Sequence, residues 1–217
     1  LVAKEGTTVA GHVGSIKVDT ADDMATASVN NKVSLNKADA NGNLVSNKNG
    51  AVLGLTSEKN AYVELDAAGK IGSVTLGAGS TVDVGAQNGA VNVMGNINGK
   101  TANLVNGGNI TVAGTANIGK LTTAEGSSLD IAKNLTVNEA NLKTVVNGTL
   151  NVAGKADFKG ETDIQGNTTV GTFSVEKALT STEGSVLKVT SGAFTAKDTV
   201  NAKGSIQVAS GDTTFTK

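Results

Sequence analysis

The chain has 217 residues, with 28 glycines, no proline, no cysteine and only 2% aromatic side chains. Its 18 basic residues are all lysine, its 19 acids nearly cancel them, and the formal net charge is −1. These values exclude a disulfide scaffold or a cysteine-based metal site, a basic nucleic-acid-binding face and a collagen triple helix.

Leu1 is not an initiator methionine, and no basic segment followed by an apolar run opens the chain. The reading is of a processed or excised chain whose export is inferred from composition. No apolar run approaches the ~18 residues of a membrane-spanning helix. His12 lies in Ala10-Gly11-His12-Val13-Gly14. With no Gly-x-Ser-x-Gly elbow anywhere, it reads as a surface turn residue rather than a catalytic base. Thr20-Ala21-Asp22-Asp23 resembles a helix-start box ahead of residues 24–29, against a β-branched content that disfavours helix. Residues 51–55 and 61–65 read as strands joined through Ser57-Glu58-Lys59-Asn60, and Asp66-Ala67-Ala68-Gly69-Lys70 reads as a turn. Residues 1–70 are therefore expected to form an irregular N-terminal β cap or a small β-rich region, since an open stack of strands needs its end covered.

From residue 71 to 217 one short unit recurs: apolar, polar, apolar, then Gly or Asn. Val82-Asp83-Val84, Val91-Asn92-Val93, Ile110-Thr111-Val112, Leu129-Asp130-Ile131, Leu150-Asn151-Val152, Phe173-Ser174-Val175 and Ile206-Gln207-Val208 are examples. Alternation over three residues means a very short strand with one buried face. Gly and Asn between the units supply turns. The apolar residues, 38% of the chain, are patterned rather than scattered, which argues against disorder. Strands this short and this close suit the coils of a β-solenoid, where each strand pairs with the equivalent strand of the next coil.

Val152, Phe158, Ile164 and Val170 fall every six residues, and Gly154, Gly160 and Gly166 keep the same step. Six residues supply one short face and one corner, so three such steps close a coil of ~18 residues. Gly108–Lys120 (GNITVAGTANIGK) aligns with Gly148–Gly160 (GTLNVAGKADFKG) at an offset of forty. Residues 125–131 (EGSSLDI) align with 183–189 (EGSVLKV) at an offset of fifty-eight, and Gly79-Ser80-Thr81-Val82-Asp83-Val84 is a partial third copy. These offsets are close to two and three coils of about twenty residues. Residues 71–217 then hold roughly seven or eight coils, a rod of about 35–40 Å at ~4.8 Å per coil.

The segments around Leu129-Asp130-Ile131 and Val146-Asn147-Gly148-Thr149-Leu150-Asn151-Val152 resemble the rungs of right-handed β-helix passengers of bacterial autotransporters and related surface adhesins. The resemblance covers about two thirds of the chain and implies an extracellular, cell-surface role that is structural or adhesive. It brings no catalytic residues with it. The Thr/Ala/Gly/Asn/Lys-rich, cysteine-free composition is also similar to bacterial S-layer proteins, and the Asn-Gly-x-Leu-x-Val stretches are similar to trimeric phage tail fibres.

Asp83, Asp130, Asp157 and Asp163 hold outward middle positions of their strands. Stacked in one ladder they would make a Ca²⁺ site or a pair of glycosidase carboxylates. Spaced as they are, they read mainly as solvated positions, and no Ca²⁺-binding nonapeptide occurs. Four sequons begin at Asn109, Asn134, Asn147 and Asn167. Gly95-Asn96-Ile97-Asn98-Gly99-Lys100-Thr101 has one residue too few between its glycines for a phosphate-binding loop and reads as a corner. Scattered Thr pairs lack the register of an ice-binding face. No catalytic residue and no cofactor is expected.

The sequence therefore points to an all-β, non-enzymatic extracellular β-solenoid: a surface-layer or filament subunit, or an adhesin stalk. Its partners are expected to be other copies of itself, with a host-surface or glycan ligand as a further candidate. Thr213, Thr214, Phe215, Thr216 and Lys217 form the expected self-association strand at one end, with residues 9–18 as the counterpart at the other. The alternatives are a trimeric phage-fibre segment and a carbohydrate-binding or carbohydrate-hydrolysing β-helix.

Overall fold

The computed structural model describes residues 1–86 and 88–216. They contain strands and turns and no helix, and the strands stack as about eleven parallel coils of a β-solenoid. Each complete coil visits three faces in the same order. Coil Thr149–Gly166 is the simplest: residues 149–152 form face 1, residues 155–158 form face 2, and Thr162–Ile164 forms face 3. The chain then returns to face 1, and Val152 pairs with Val170, eighteen residues on. The six-residue beat is thus one face and one corner, repeated three times.

The longer offsets are coil counts. On face 1, Ile110 pairs with Leu129 and Leu129 with Leu150, so an offset of forty spans two coils. Leu150 pairs with Thr168 and Thr168 with Leu187, so fifty-eight spans three. The Glu-Gly-Ser repeat itself marks a corner. Gly126 and Gly184 sit at φ 76° and 81°, and Ser127 and Ser185 each donate their hydroxyl to a carbonyl three residues back at 2.7 Å. Left-handed backbone is open to glycine without steric cost. Gly79-Ser80 makes the same backbone turn, with φ 71° at Gly79, but the Ser80 hydroxyl donates to the Glu58 carbonyl, and the turn leads from face 2 to face 3, whereas the other two lead from face 3 to face 1. The third sequence copy therefore shares a corner, not a face.

The interior is a continuous column of Val, Leu and Ile side chains, nearly all under 3% exposed. Burying each such side chain is worth about 1.5–3 kcal/mol. The phenylalanines gather on face 2 of the last coils. Phe158, Phe173, Phe194 and Phe215 run up the axis with successive ring centroids 5.5, 5.5 and 5.6 Å apart. The first three are buried.

The pairing crosses residue 70 without a break. Residues 32–35 lie beside Tyr62–Leu65, which lies beside Thr81–Val84 on face 3. Leu55 and Thr56 pair with Val74 and Thr75 on face 2. Face 1 begins as a separate three-stranded parallel sheet of Val2–Lys4, Ile16–Asp19 and Val45–Asn47. Leu44 joins this sheet to the next coil, its N–H donating to the carbonyl of Lys70 at 2.7 Å. The expected strands near 51–55 and 61–65 exist as Gly54–Ser57 and Tyr62–Leu65, on successive faces of one coil.

The helix that the Thr20–Asp23 box suggested, and that the β-branched content of 24–29 disfavoured, does not form; Thr26–Leu35 is a strand. The box residues do cap a turn, with Asp22 N–H bonded to Thr20 Oγ1 at 3.1 Å and Met24 N–H to Asp22 Oδ1 at 2.8 Å. Pairing of Thr26–Leu35 with Thr8–Val13, Gly54–Ser57 and Tyr62–Leu65 supplies more hydrogen bonds than one helical turn, and β-branched residues favour that outcome.

Candidate functional site

The last three strands described, at the C-terminal side of the stack, are Val200–Ala202, Ser205–Val208 and Thr213–Phe215. Each pairs on one side only, with Leu179–Ser181, Val186–Val189 and Phe194–Ala196 respectively. Each therefore presents an outer edge, a row of backbone donors and acceptors of the kind that templates further pairing. Val200, Ile206 and Val208 occupy inward positions but are only half-buried. Phe215, the last ring of the aromatic column, is 57% exposed. A hollow of about 470 Å³ lies between it and Asp198, Thr199 and Val200. Thr213 and Thr214 are exposed beside it, and Thr216 bonds to the Ala196 carbonyl through both its N–H and its hydroxyl. Lys217, the last residue of the expected self-association strand, lies outside the described residues.

The opposite end differs. Thr8–Val13 and Val2–Lys4 are also edge strands; their inward residues Ala3 and Val9 are 7% and 5% exposed, whereas inward Val13 is half-buried and Leu1 and Val2 are exposed. His12 is exposed on the outer side of face 3, in register with Ser34.

The four aspartates fall on three faces and form no ladder. Asp83 and Asp163 are on face 3, Asp130 on face 1 and Asp157 on face 2. On face 3 the positions between Asp83 and Asp163 are taken by Val105, Thr122 and Val145. Each acid is bonded to protein groups. Asp83 accepts the Tyr62 phenol at 2.5 Å. Asp130 accepts Asn151 Nδ2 at 2.6 Å and Ser128 Oγ at 3.2 Å. Asp163 accepts Lys143 Nζ, Gln165 and Thr180 within 2.9 Å. Asp157 lies 3.1 Å from Lys159 and 3.5 Å from Lys155. Among the described residues no three His, Cys, Asp or Glu side chains converge as metal ligands would.

These contacts move the titrations. Burial pushes Asp157 up, but the Lys159 hydrogen bond and the charges of Lys155 and Lys159 outweigh it and hold it below the ordinary carboxylate value. Burial likewise pushes Asp163 up, and hydrogen bonds from Lys143, Gln165 and Thr180 more than reverse it, so that it too lies below the ordinary carboxylate value. Glu176 is lowered by hydrogen bonds from Lys159 and Lys197, at 2.9 and 3.2 Å. Lys159 is raised in return, first by Glu176. The bond to Asp83, then burial, then nearby acids push Tyr62 up to about 12. The shifts of Asp157, Asp163, Glu176 and Lys159 are those of ion pairs, and that of Tyr62 comes chiefly from its hydrogen bond to Asp83.

The sequon asparagines are spread along the stack. Asn109 and Asn147 are half-buried, whereas Asn134 and Asn167 are exposed. Asn134 works as a corner brace: its Oδ1 accepts the Lys155 N–H at 2.8 Å, as Asn96 accepts that of Thr115. A Cβ on Gly154 or Gly114 would fall on those oxygens, which is why glycine stands there one coil later.

Residues 95–101 do not form a phosphate cradle; Ile97–Asn106 runs through them as a strand. No helix among the described residues is long and apolar enough to cross a membrane. A scan against protein-family models matches none, and searches of curated proteins and of solved structures find no match.

Proposed function

We propose that this chain is a non-enzymatic structural rod of the extracellular cell surface, a β-solenoid stalk or layer subunit that associates with other copies through its C-terminal edge. The observation that carries this reading is the exposed end of the aromatic column. Phe215 is 57% exposed at the end of a column of three buried rings, and Val200, Ile206 and Val208 of the same last coil are half-buried. A second copy seated there buries these side chains and pairs the open strand edges, by strand addition. The tight backbone ladders make the rod stiff, as a stalk or lattice unit requires.

The test is electron microscopy and light scattering of the purified chain, with and without Ca²⁺. End-linked rods, filaments or sheets are expected, independent of Ca²⁺. Deleting residues 213–217, or replacing Phe215 by Asp, leaves single rods about 50 Å long, as about eleven coils at ~4.8 Å require. Assembly unchanged by both variants, or single rods from the parent chain at high concentration, refutes the self-association reading.

A further inference from the structure

A groove runs along the rod where face 1 turns toward face 2. On face 1, Val93, Val112, Ile131 and Val152 pair in succession, so the residues next to them in the chain also stack. Those residues are Met94, Ala113, Ala132 and Ala153, and all four are exposed. They make an apolar floor that continues to Thr190. The groove is shallow and open, holds about 460 Å³ and spans five coil steps, roughly 24 Å at ~4.8 Å per step. Its wall is the outward column of face 1, in which Asn92, Thr111, Asp130 and Asn151 succeed one another coil by coil.

The occupant is limited by charge, width and period. No lysine lines the groove, and its one acid, Asp130, is already bonded to Asn151 and Ser128. Neither a polyanion nor a polycation finds a counter-charge there. The groove takes in only the floor and wall columns, far short of the ~800 Å² per partner of a stable protein interface. An extended peptide repeats on one side every ~6.6 Å and keeps no register with a ~4.8 Å step. The face 1 backbone groups are spent in the ladder, so strand addition onto the wall is closed to it. A β-linked pyranose chain, by contrast, advances by close to one coil step per sugar. Its C–H faces suit the methyl floor. Its equatorial hydroxyls suit a wall that keeps hydrogen-bonding capacity: Thr111 gives its only proton to Asn92 and keeps its lone pairs, and Asn92 uses one of two amide protons on the Ala90 carbonyl.

We infer that this groove binds an extended, uncharged β-linked glycan along the rod, one pyranose per coil. The inference does not rest on the self-association reading, because residues 213–216 take no part in the groove. Cellohexaose, chitohexaose and the corresponding trisaccharides would be titrated into the purified, isotope-labelled chain and followed by amide NMR shifts. The expected result is that at least one hexasaccharide binds and shifts the amides of Ala113, Ala132 and Ala153. Its affinity should exceed that of its trisaccharide by roughly tenfold or more, and Ala132→Glu should lower it by a similar factor. Ala153→Leu, which fills the floor without adding charge, should do the same, with both melting temperatures unchanged. No shift with either hexasaccharide at millimolar concentration overturns the inference. So does binding that survives both variants, a response only to an extended Ala/Asn peptide, or a dimer that Ala132→Glu dissolves without any saccharide binding.

Discussion

The first three coils and the coils between residues 149 and 196 solve the same problem by different means. In the later coils each corner is short, and stacking keeps it in place. Backbone bonds such as Gly154 N–H to the Lys133 carbonyl, at 2.9 Å, carry one corner onto the next, and the interior is closed by the aromatic column. In the first coils the corners are long and irregular, and buried polar side chains hold them. Asn47, fully buried, accepts the N–H groups of Asn49 and Ala51 at 2.9 Å and donates to Asp23 at 2.6 Å. Asp39 accepts from Asn41, Asn43 and Ser46 within 3.0 Å. Burial raises its titration, and these bonds from Asn43, Ser46 and Asn41 more than reverse that. One architecture thus tolerates either a strict beat or a loose one, provided each corner's backbone groups find partners.

The largest effect should come from breaking the aromatic column. Phe173→Ala removes the ring that contacts both Phe158 and Phe194 and should cost about 3–5 kcal/mol. A stack in which each coil touches only its neighbours should lose this stability locally. Hydrogen exchange should therefore show lost protection over residues 149–215 with residues 1–70 unchanged. A uniform loss along the rod would show that the two regions unfold as one.

A smaller effect, at the other end, is expected from Asn47→Ala. It leaves the N–H groups of exposed Asn49 and half-buried Ala51 without their acceptor, at about 1–3 kcal/mol in all because water reaches both. Loss of protection should be confined to residues 39–52. An unchanged exchange pattern would show that water replaces the side chain.

The smallest effect is acid sensitivity. Asp157, Asp163 and Glu176 titrate below their ordinary values when folded, so their stabilisation is complete above the unfolded carboxylate range, about pH 4. It declines as pH falls through the lower folded values. The first coils hold one such group, Asp39. On acidification below about pH 4, protection should fall first over residues 149–196, and Asp157→Asn with Asp163→Asn should flatten that dependence. Equal acid loss in both regions would contradict the assignment.

Much of this architecture was legible in the residues. Alternation of apolar and polar side chains set which positions face inward, because a strand alternates its two sides whatever it pairs with. The step between Val152 and Val170 gave the coil, and the offsets of forty and fifty-eight gave two and three coils. The Thr20–Asp23 box is ambiguous because the same hydroxyl and carboxylate bonds that start a helix also tighten a turn into a strand, and the β-branched residues after it favour the strand. The grouping of the aspartates was not legible for a related reason. A middle position is known to point outward, but its face depends on how many corners precede it, and corner lengths vary from coil to coil.

By itself, then, the sequence determined an all-β stack of short parallel strands, its inward Val, Leu and Ile, and the approximate length of each coil. These properties come from local periodicity and from glycine turns, which need only near neighbours. Tertiary structure alone decided which outward side chains share a face, that the four phenylalanines form one column ending at Phe215, that the ladders run through residue 70, and that Met94 and three alanines line a groove. Each of these depends on the register between coils, and register is set by the summed lengths of corners and by packing between residues some twenty positions apart.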